Sequence, residues 1–157
     1  MNPYHIHVAR RYFHVQQNNV NLVRADAVQW VKDYNGEKFD LIVDDLFGDH
    51  DGEPVRAVAA DSHWFRKLNR LLSKDGVLVT NFVSNRQMKQ SAYFTDEKIS
   101  HLFGSVFQFM APQYENVIGV FFKPEFTQRH LKQNLMMIPQ LDPRLKSCRL
   151  RYTVRRA

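Results

Sequence analysis

Phe39-Asp40-Leu41-Ile42-Val43-Asp44-Asp45 is the stretch that decides the fold of this chain of 157 residues. A nearly continuous apolar run of this kind is typical of a central parallel strand that is buried on both faces of a sheet. The two acids that end the run place negative charge at the carboxyl end of the strand. In open α/β sheets, ligands bind outside the carboxyl ends of the strands. The run therefore predicts an α/β sheet with an acidic functional edge.

Helical and extended patterns alternate on both sides of this strand. Before it we predict an amphipathic helix over 3–15, a turn at Asn18-Asn19, a strand over 20–23, and a helix that Asp26 caps and Asn35-Gly36 ends. After it we predict a loop over 46–60, a helix from Asp61-Ser62 to Asp75-Gly76, a strand over 77–82, a helix over 95–103 capped by Thr95, strands over 106–111 and 116–122, and a helix over 126–137. Pro139 and Pro143 are expected to interrupt further regular structure. This order predicts a doubly wound, mostly parallel sheet with an antiparallel C-terminal hairpin.

The composition fits one globular domain, with 44% hydrophobic and 24% charged residues. The sequence contains no apolar run long enough to span a membrane and no apolar core of a secretory signal at its start. We therefore expect a cytoplasmic protein without a membrane partner. The single cysteine, Cys148, has no internal disulfide partner and is expected to be inert.

The net charge of +6 is concentrated at the C-terminus. Residues 123–157 hold nine Lys and Arg against two acids, so residues 1–122 carry a balance near zero. We interpret the chain as a domain over 1–122 followed by a basic helix and tail over 123–157. The tail lacks interleaved aromatic residues, which favours a solvated or packing segment, with nucleic acid kept as a minor alternative.

Three segments in this order resemble a known family: Val23-Arg24-Ala25-Asp26-Ala27, then residues 39–45, then Leu71-Leu72-Ser73-Lys74-Asp75-Gly76-Val77-Leu78-Val79. They are similar to the class I S-adenosylmethionine-dependent methyltransferases and, within them, to the spermidine synthases. The resemblance covers residues 1–122 and implies a Rossmann-like methyltransferase fold. All six glycines lie at or after position 36, and none forms the Gly-x-Gly loop of the cofactor fingerprint. We therefore expect a fragment that lacks the first strands of the fold and is poorly active alone.

The resemblance implies a cofactor role for four residues. Asp26 and Ala27 match the pair that meets the adenine of S-adenosylmethionine or its decarboxylated form, and Asp45 and Leu46 are expected at the same cofactor. Asp26 is equally interpreted as a plain helix cap, and the two interpretations are compatible. Trp30 is interpreted as a core residue rather than a cofactor contact.

Asp45 also aligns with the acid that serves as the base of the aminopropyltransferases. A carboxylate there binds the ammonium group of the acceptor and takes its proton as the nitrogen attacks the carbon next to the sulfonium. The family's second acid is replaced by Gly48, and Asp49 comes one position late, which puts diamine specificity in question. Tyr114 matches a tyrosine that contacts the amine. The alternatives are a solvated strand end for Asp44 and Asp45 and an ordinary hairpin residue for Tyr114.

No metal site is predicted. His5 and His7 lie two residues apart on a predicted helix and face different directions. The acids and histidine of residues 49–53 lack calcium-loop spacing and are interpreted as solvated charge.

Three functions follow from this sequence. The first is aminopropyl transfer from decarboxylated S-adenosylmethionine to a polyamine. The second is methyl transfer from S-adenosylmethionine to a small molecule, and the third is a non-catalytic module for dimerisation or interaction. A small-molecule acceptor and a homodimer are the expected partners.

Overall fold

The structure is a computed structural model that describes residues 4–15 and 20–157. The chain divides into two compact units, residues 1–36 and 37–157. The first unit contains helix α1 (Tyr4–Tyr12) and helix α2 (Ala27–Asp33), which confirms both helices predicted there. Asp26 caps α2, and its carboxylate accepts a hydrogen bond from the Gln29 backbone N–H at 2.8 Å.

Two other predictions for this unit have different outcomes. The strand predicted over 20–23 is wrong, because these residues belong to no helix or strand. A strand needs a neighbouring strand to bond its backbone groups, and the described part of this unit contains none. The turn at Asn18-Asn19 lies outside the described residues.

The second unit contains the sheet. Its elements are, in chain order, β1 (Phe39–Asp44), β2 (Phe47–His50), β3 (Glu53–Arg56), α3 (Ser62–Leu71), β4 (Leu72–Phe82), α4 (Asn85–Lys89), α5 (Ala92–Thr95), α6 (Glu97–Ser100), β5 (Ser105–Met110), β6 (Val117–Phe122), α7 (Gln128–Met136) and β7 (Thr153–Arg156). Five strands form one sheet in the order β1-β4-β6-β5-β7, and β2 and β3 form a separate hairpin. Strand β1 is parallel to β4, whereas the pairs β4–β6, β5–β6 and β5–β7 are antiparallel. The predicted α/β class and the C-terminal hairpin are confirmed.

Strand β1 lies at the edge of this sheet and not at its centre. Among the described strands it pairs only with β4. Leu41 and Val43, on one of its faces, are 56% and 61% exposed. The prediction of a strand buried on both faces is therefore wrong in this structure. An apolar run indicates a strand that can be buried, but it does not identify the neighbours that would bury it.

Three local predictions also need correction. Residues 46–60 were expected to form a loop, but β2 and β3 pair there around a turn at Asp51 and Gly52, which both have positive φ. The helix predicted over 95–103 is interrupted, and Asp96 rather than Thr95 caps α6. Regular structure resumes after Pro143, because β7 pairs with β5.

The two faces of the sheet are covered by different elements. Leu78, Thr80 and Phe82 of β4 point toward α3. On the same face, Phe121 of β6 contacts Phe65 of α3 edge to face, with 5.2 Å between the ring centres. The alternate residues of β4, including Asn81, point to the opposite face. On that face α7 and the C-terminal segment cover β5 and β6, whereas β1 stays exposed. The hydrophobic core therefore lies between the sheet and α3.

A buried ion pair fastens the hairpin to the sheet. Arg56 Nη2 donates to Asp44 Oδ2 at 2.7 Å, and the two side chains are 3% and 2% exposed. Arg56 Nη1 donates to the Asn81 carbonyl oxygen at 2.7 Å, and its Nε donates to the Val58 carbonyl oxygen at 3.2 Å. Trp64 Nε1 donates to the same Asp44 oxygen at 3.1 Å. The pair thus connects β3, the ends of β1 and β4, and α3.

We expect Arg56→Met to lower the free energy of unfolding by about 3–5 kcal/mol, because it leaves the Asp44 carboxylate buried without its cation. Urea unfolding followed by tryptophan fluorescence measures this change. Asp75→Asn is the matched control, since it breaks the exposed ion pair with Lys74 and should cost less than about 1 kcal/mol. Equal stabilities of the two variants would contradict this role of the buried pair.

Candidate functional site

Asp44 and Asp45, at the end of β1, point to opposite faces of the sheet. Side chains alternate along a strand, so Asp44 points toward α3 and Asp45 toward the other face. Asp44 is buried in the ion pair with Arg56. Asp45 is exposed at the carboxyl edge of the sheet. The interpretation of both acids as a solvated strand end is therefore wrong for Asp44, and Asp45 is the acid that a ligand can reach.

Asn81 bonds the side chain of Asp45 and is itself bonded by Asn116. Asn81 Nδ2, at the end of β4, donates to Asp45 Oδ1 at 3.0 Å. Asn116 Nδ2, just before β6, donates to Asn81 Oδ1 at 3.1 Å. Because each Asn81 amide atom has a defined partner, the amide has one orientation and donates toward the carboxylate. Within the described residues, the second oxygen of Asp45 has no hydrogen-bond partner.

The prediction from sequence did not include Asn81 or Asn116. Both follow the strand pattern closely enough to be interpreted as ordinary strand and turn residues. A usable signal was present for Asn81, because it lies near the carboxyl end of the strand predicted over 77–82. Polar residues at the carboxyl edge of an α/β sheet are candidates for ligand contact.

Tyr114 lies in the turn between β5 and β6 and borders an apolar groove. Its side chain is 70% exposed, and its backbone N–H donates to the Ala111 carbonyl oxygen at 3.1 Å. The groove has a volume of about 300 Å³. Its lining includes residues of β5, β6, α7 and the C-terminal segment, among them Phe109, Ile118, Leu135, Leu141 and Leu150. Asn116 also lines it, so the groove and the Asp45 site share a residue.

Asp26 and Ala27 lie in the first unit, at the start of α2. The carboxylate caps the helix, which confirms the structural interpretation of Asp26. A groove of about 490 Å³ is lined by both Asp26 and Trp30. Trp30 is half-buried, with its ring 4.7 Å from that of Tyr34. The adenine role of Asp26 and Ala27 stays a prediction.

The hairpin after Asp45 holds the other predicted residues. The Leu46 carbonyl oxygen accepts from the Ala57 N–H at 2.9 Å and closes the base of the hairpin. Gly48, which stands where the family's second acid is expected, is exposed in β2. The Asp49 carboxylate accepts from the Gly52 N–H at 3.1 Å and so belongs to the hairpin turn. Asp45 is therefore the only acid of this motif that the described structure brings to the sheet edge.

The described part of the chain contains no candidate metal cluster and no candidate membrane-spanning helix. Over residues 4–15 and 20–157, His, Cys, Asp and Glu side chains form no group of three that could hold a metal ion. His5 and His7 lie in α1 and are both exposed. No helix in this part of the chain is both long and apolar enough to cross a membrane.

This chain is similar to one family of known proteins. Residues 4–132 match the family described as "Spermine/spermidine synthase domain". The polyamine aminopropyltransferase of Chromobacterium violaceum is 30% identical over 132 residues, which is 82% of this chain and 48% of that protein. The polyamine aminopropyltransferase of Neisseria meningitidis serogroup A is 28% identical over 125 residues, which is 78% of this chain and 45% of that protein.

The chain spans about half the length of the curated relatives that it matches. The matched residues include α2, β1 with the following residue Asp45, Asn81 of β4, and Asn116 just before β6. Among the described elements, the family match therefore covers all except the end of α7 and β7. This chain belongs to the spermine/spermidine synthase domain family and has its Rossmann-like α/β fold.

Proposed function

We propose that this chain provides the amine-binding part of an aminopropyltransferase, which transfers an aminopropyl group from decarboxylated S-adenosylmethionine to an amine. The observation that carries the proposal is the exposed Asp45 carboxylate at the carboxyl edge of the sheet, held by Asn81. Two relatives named polyamine aminopropyltransferase support the same activity.

In the proposed reaction Asp45 acts first as an anchor and then as a base. The free carboxylate oxygen binds the ammonium group of the acceptor and takes one proton from it. The amine nitrogen then forms a bond to the carbon next to the sulfonium, and the bond from that carbon to sulfur breaks. Methylthioadenosine leaves with the electron pair on sulfur. Holding the amine and the sulfonium in line supplies a further part of the rate.

The proposed binding site for adenine is the start of α2. Asp26 Oδ1 is already bonded to the Gln29 N–H, and the carboxylate retains capacity to accept from the exocyclic amine of adenine. The Ala27 N–H belongs to the first turn of the helix, where backbone donors have no partner inside the helix. The groove along Trp30 offers an aromatic surface beside these two groups. Asp45 and Leu46 are the proposed contacts near the sulfonium.

Methyl transfer is the second candidate, because Gly48 stands where a second acid would bind the far end of a diamine. The two reactions use different donors. Titration of the chain with S-adenosylmethionine and with its decarboxylated form separates them, and preference for the decarboxylated form supports aminopropyl transfer. Absence of binding by either donor would leave the non-catalytic module, with the chain expected to sediment as a homodimer.

We expect Asp45→Asn to reduce methylthioadenosine formation from decarboxylated S-adenosylmethionine and an amine by about 10²–10⁴-fold, because the base is lost. The chain alone is expected to turn over slowly, so the product is measured by mass spectrometry. Asp49→Asn is the matched control, since Asp49 is an exposed acid of the adjacent hairpin turn and its change should leave the rate intact. Equal rates for the two variants would refute Asp45 as the base.

We also expect Asn81 and Asn116 to be coupled in a double-mutant cycle. Their shared hydrogen bond should give a coupling of about 0.5–1.5 kcal/mol between Asn81→Ala and Asn116→Ala in urea unfolding. The control cycle pairs Asn81→Ala with Gln113→Ala, an exposed residue of the same turn, and should be additive. Additivity in both cycles would show that Asn116 does not orient the Asn81 amide.

A further inference from the structure

We infer that Glu115 supplies the second carboxylate of the acceptor site and favours an acceptor that carries a second ammonium group. This inference rests on the proposed function, because it takes Asp45 as the anchor of the reacting amine. It goes beyond that function by assigning a residue to the far end of the acceptor, a role for which Gly48 has no side chain. Three observations carry it: the position of the turn that holds Glu115, the groove beside that turn, and the charges around the groove.

The turn between β5 and β6 lies at the same edge of the sheet as Asp45. Strand β6 begins where β4 ends, because Val117 is in register with Phe82. Strand β4 is parallel to β1 and pairs with it as far as Asp44. Asp45 follows β1, and Glu115 lies shortly before β6, so both acids lie beyond the ends of neighbouring strands. The fold therefore brings a second acid to the functional edge from a distant part of the sequence.

Hydrogen bonds connect Asp45 to the neighbour of Glu115. Asn81 Nδ2 lies 3.0 Å from Asp45 Oδ1, and Asn116 Nδ2 lies 3.1 Å from Asn81 Oδ1. With about 2.2 Å between the two polar atoms of the Asn81 amide, the Asp45 carboxylate and the Asn116 amide are at most about 8 Å apart. Glu115 precedes Asn116 directly. A short diamine anchored at Asp45 can therefore extend to this turn.

Both neighbours of Glu115 line the groove described above. Tyr114 and Asn116 lie on either side of it in the chain, so the backbone of Glu115 borders the groove. Phe109 and Ile118 line the same groove and offer apolar surface to the methylene groups between two amines. Glu115 is exposed, and its flexible side chain allows the carboxylate to reach the groove while it stays hydrated. The groove thus suits the carbon chain of a diamine, and Glu115 suits its second charge.

The carboxylate of Glu115 is available to an amine, because it forms no ion pair with any described residue. Among the described residues that line the groove, the charged side chain is that of Arg151, which repels an ammonium group. Asp142, next to the lining residue Leu141, is already bound by Arg144 at 2.8 Å. Glu115 therefore provides the negative charge that a second ammonium group needs beside this groove.

Butylamine and 1,4-diaminobutane are a matched pair of probes, because they differ only in the second amine. We expect the diamine to bind the full chain about three- to tenfold more tightly, as measured from the methyl NMR shifts of Ile118. Glu115→Gln should abolish this preference and leave the affinity for butylamine unchanged. Equal affinity of the unaltered chain for the two amines, no binding of the diamine, or a preference that persists in Glu115→Gln would overturn the inference.

Glu125 provides the matched control, because it is an exposed glutamate at the opposite edge of the sheet. It follows β6, and its side chain lies close to Gly104, just before β5. Glu115→Lys should reverse the preference, so that butylamine binds about threefold or more tightly than the diamine. Glu125→Lys makes the same change of net charge and should retain the preference for the diamine. An identical change of preference in the two variants would refute Glu115 as the contact of the second ammonium group.

The outcome is separable from that of the proposed function. Methylthioadenosine formation that is lost in Asp45→Asn, with no preference for the diamine that depends on Glu115, would retain aminopropyl transfer while the inference fails. A preference for the diamine that disappears in Glu115→Gln, without any methylthioadenosine formation, would retain the role of Glu115 in binding while the transfer reaction fails.

Discussion

The site depends on the buried ion pair between Asp44 and Arg56. Removing two charges from water is costly, and the cost is offset only where geometry and additional hydrogen bonds are good. Here each of the three guanidinium nitrogens donates to an acceptor: the Asp44 carboxylate or the carbonyl oxygen of Asn81 or Val58. The planar group also lies 5.5 Å from the centre of the Phe82 ring. One buried side chain thereby fixes the ends of β1 and β4 relative to each other.

The positions of the Asp45 and Asn81 side chains depend on this ion pair. Asp45 is the next residue after Asp44, and Asn81 presents its carbonyl oxygen to Arg56 while its amide holds Asp45. The backbone that carries both groups is therefore fixed from the buried face of the sheet. The exposed face receives two oriented side chains, a carboxylate and an amide. Burial of Asp44 on one face of the sheet therefore fixes the position of Asp45 on the exposed face.

Local signals predicted much of the fold, whereas long-range pairings did not follow from the sequence. Asp26 and Asp61 were predicted at helix starts, and both cap helices because a carboxylate next to an amphipathic pattern satisfies free backbone N–H groups. The acidic end of β1 was also predicted. The division of roles between Asp44 and Asp45 was not, because Arg56 lies in a segment rich in turn residues that resembles a loop. Strand β7 was missed for a similar reason, since Thr153–Arg156 is short and basic and is defined by its pairing with β5.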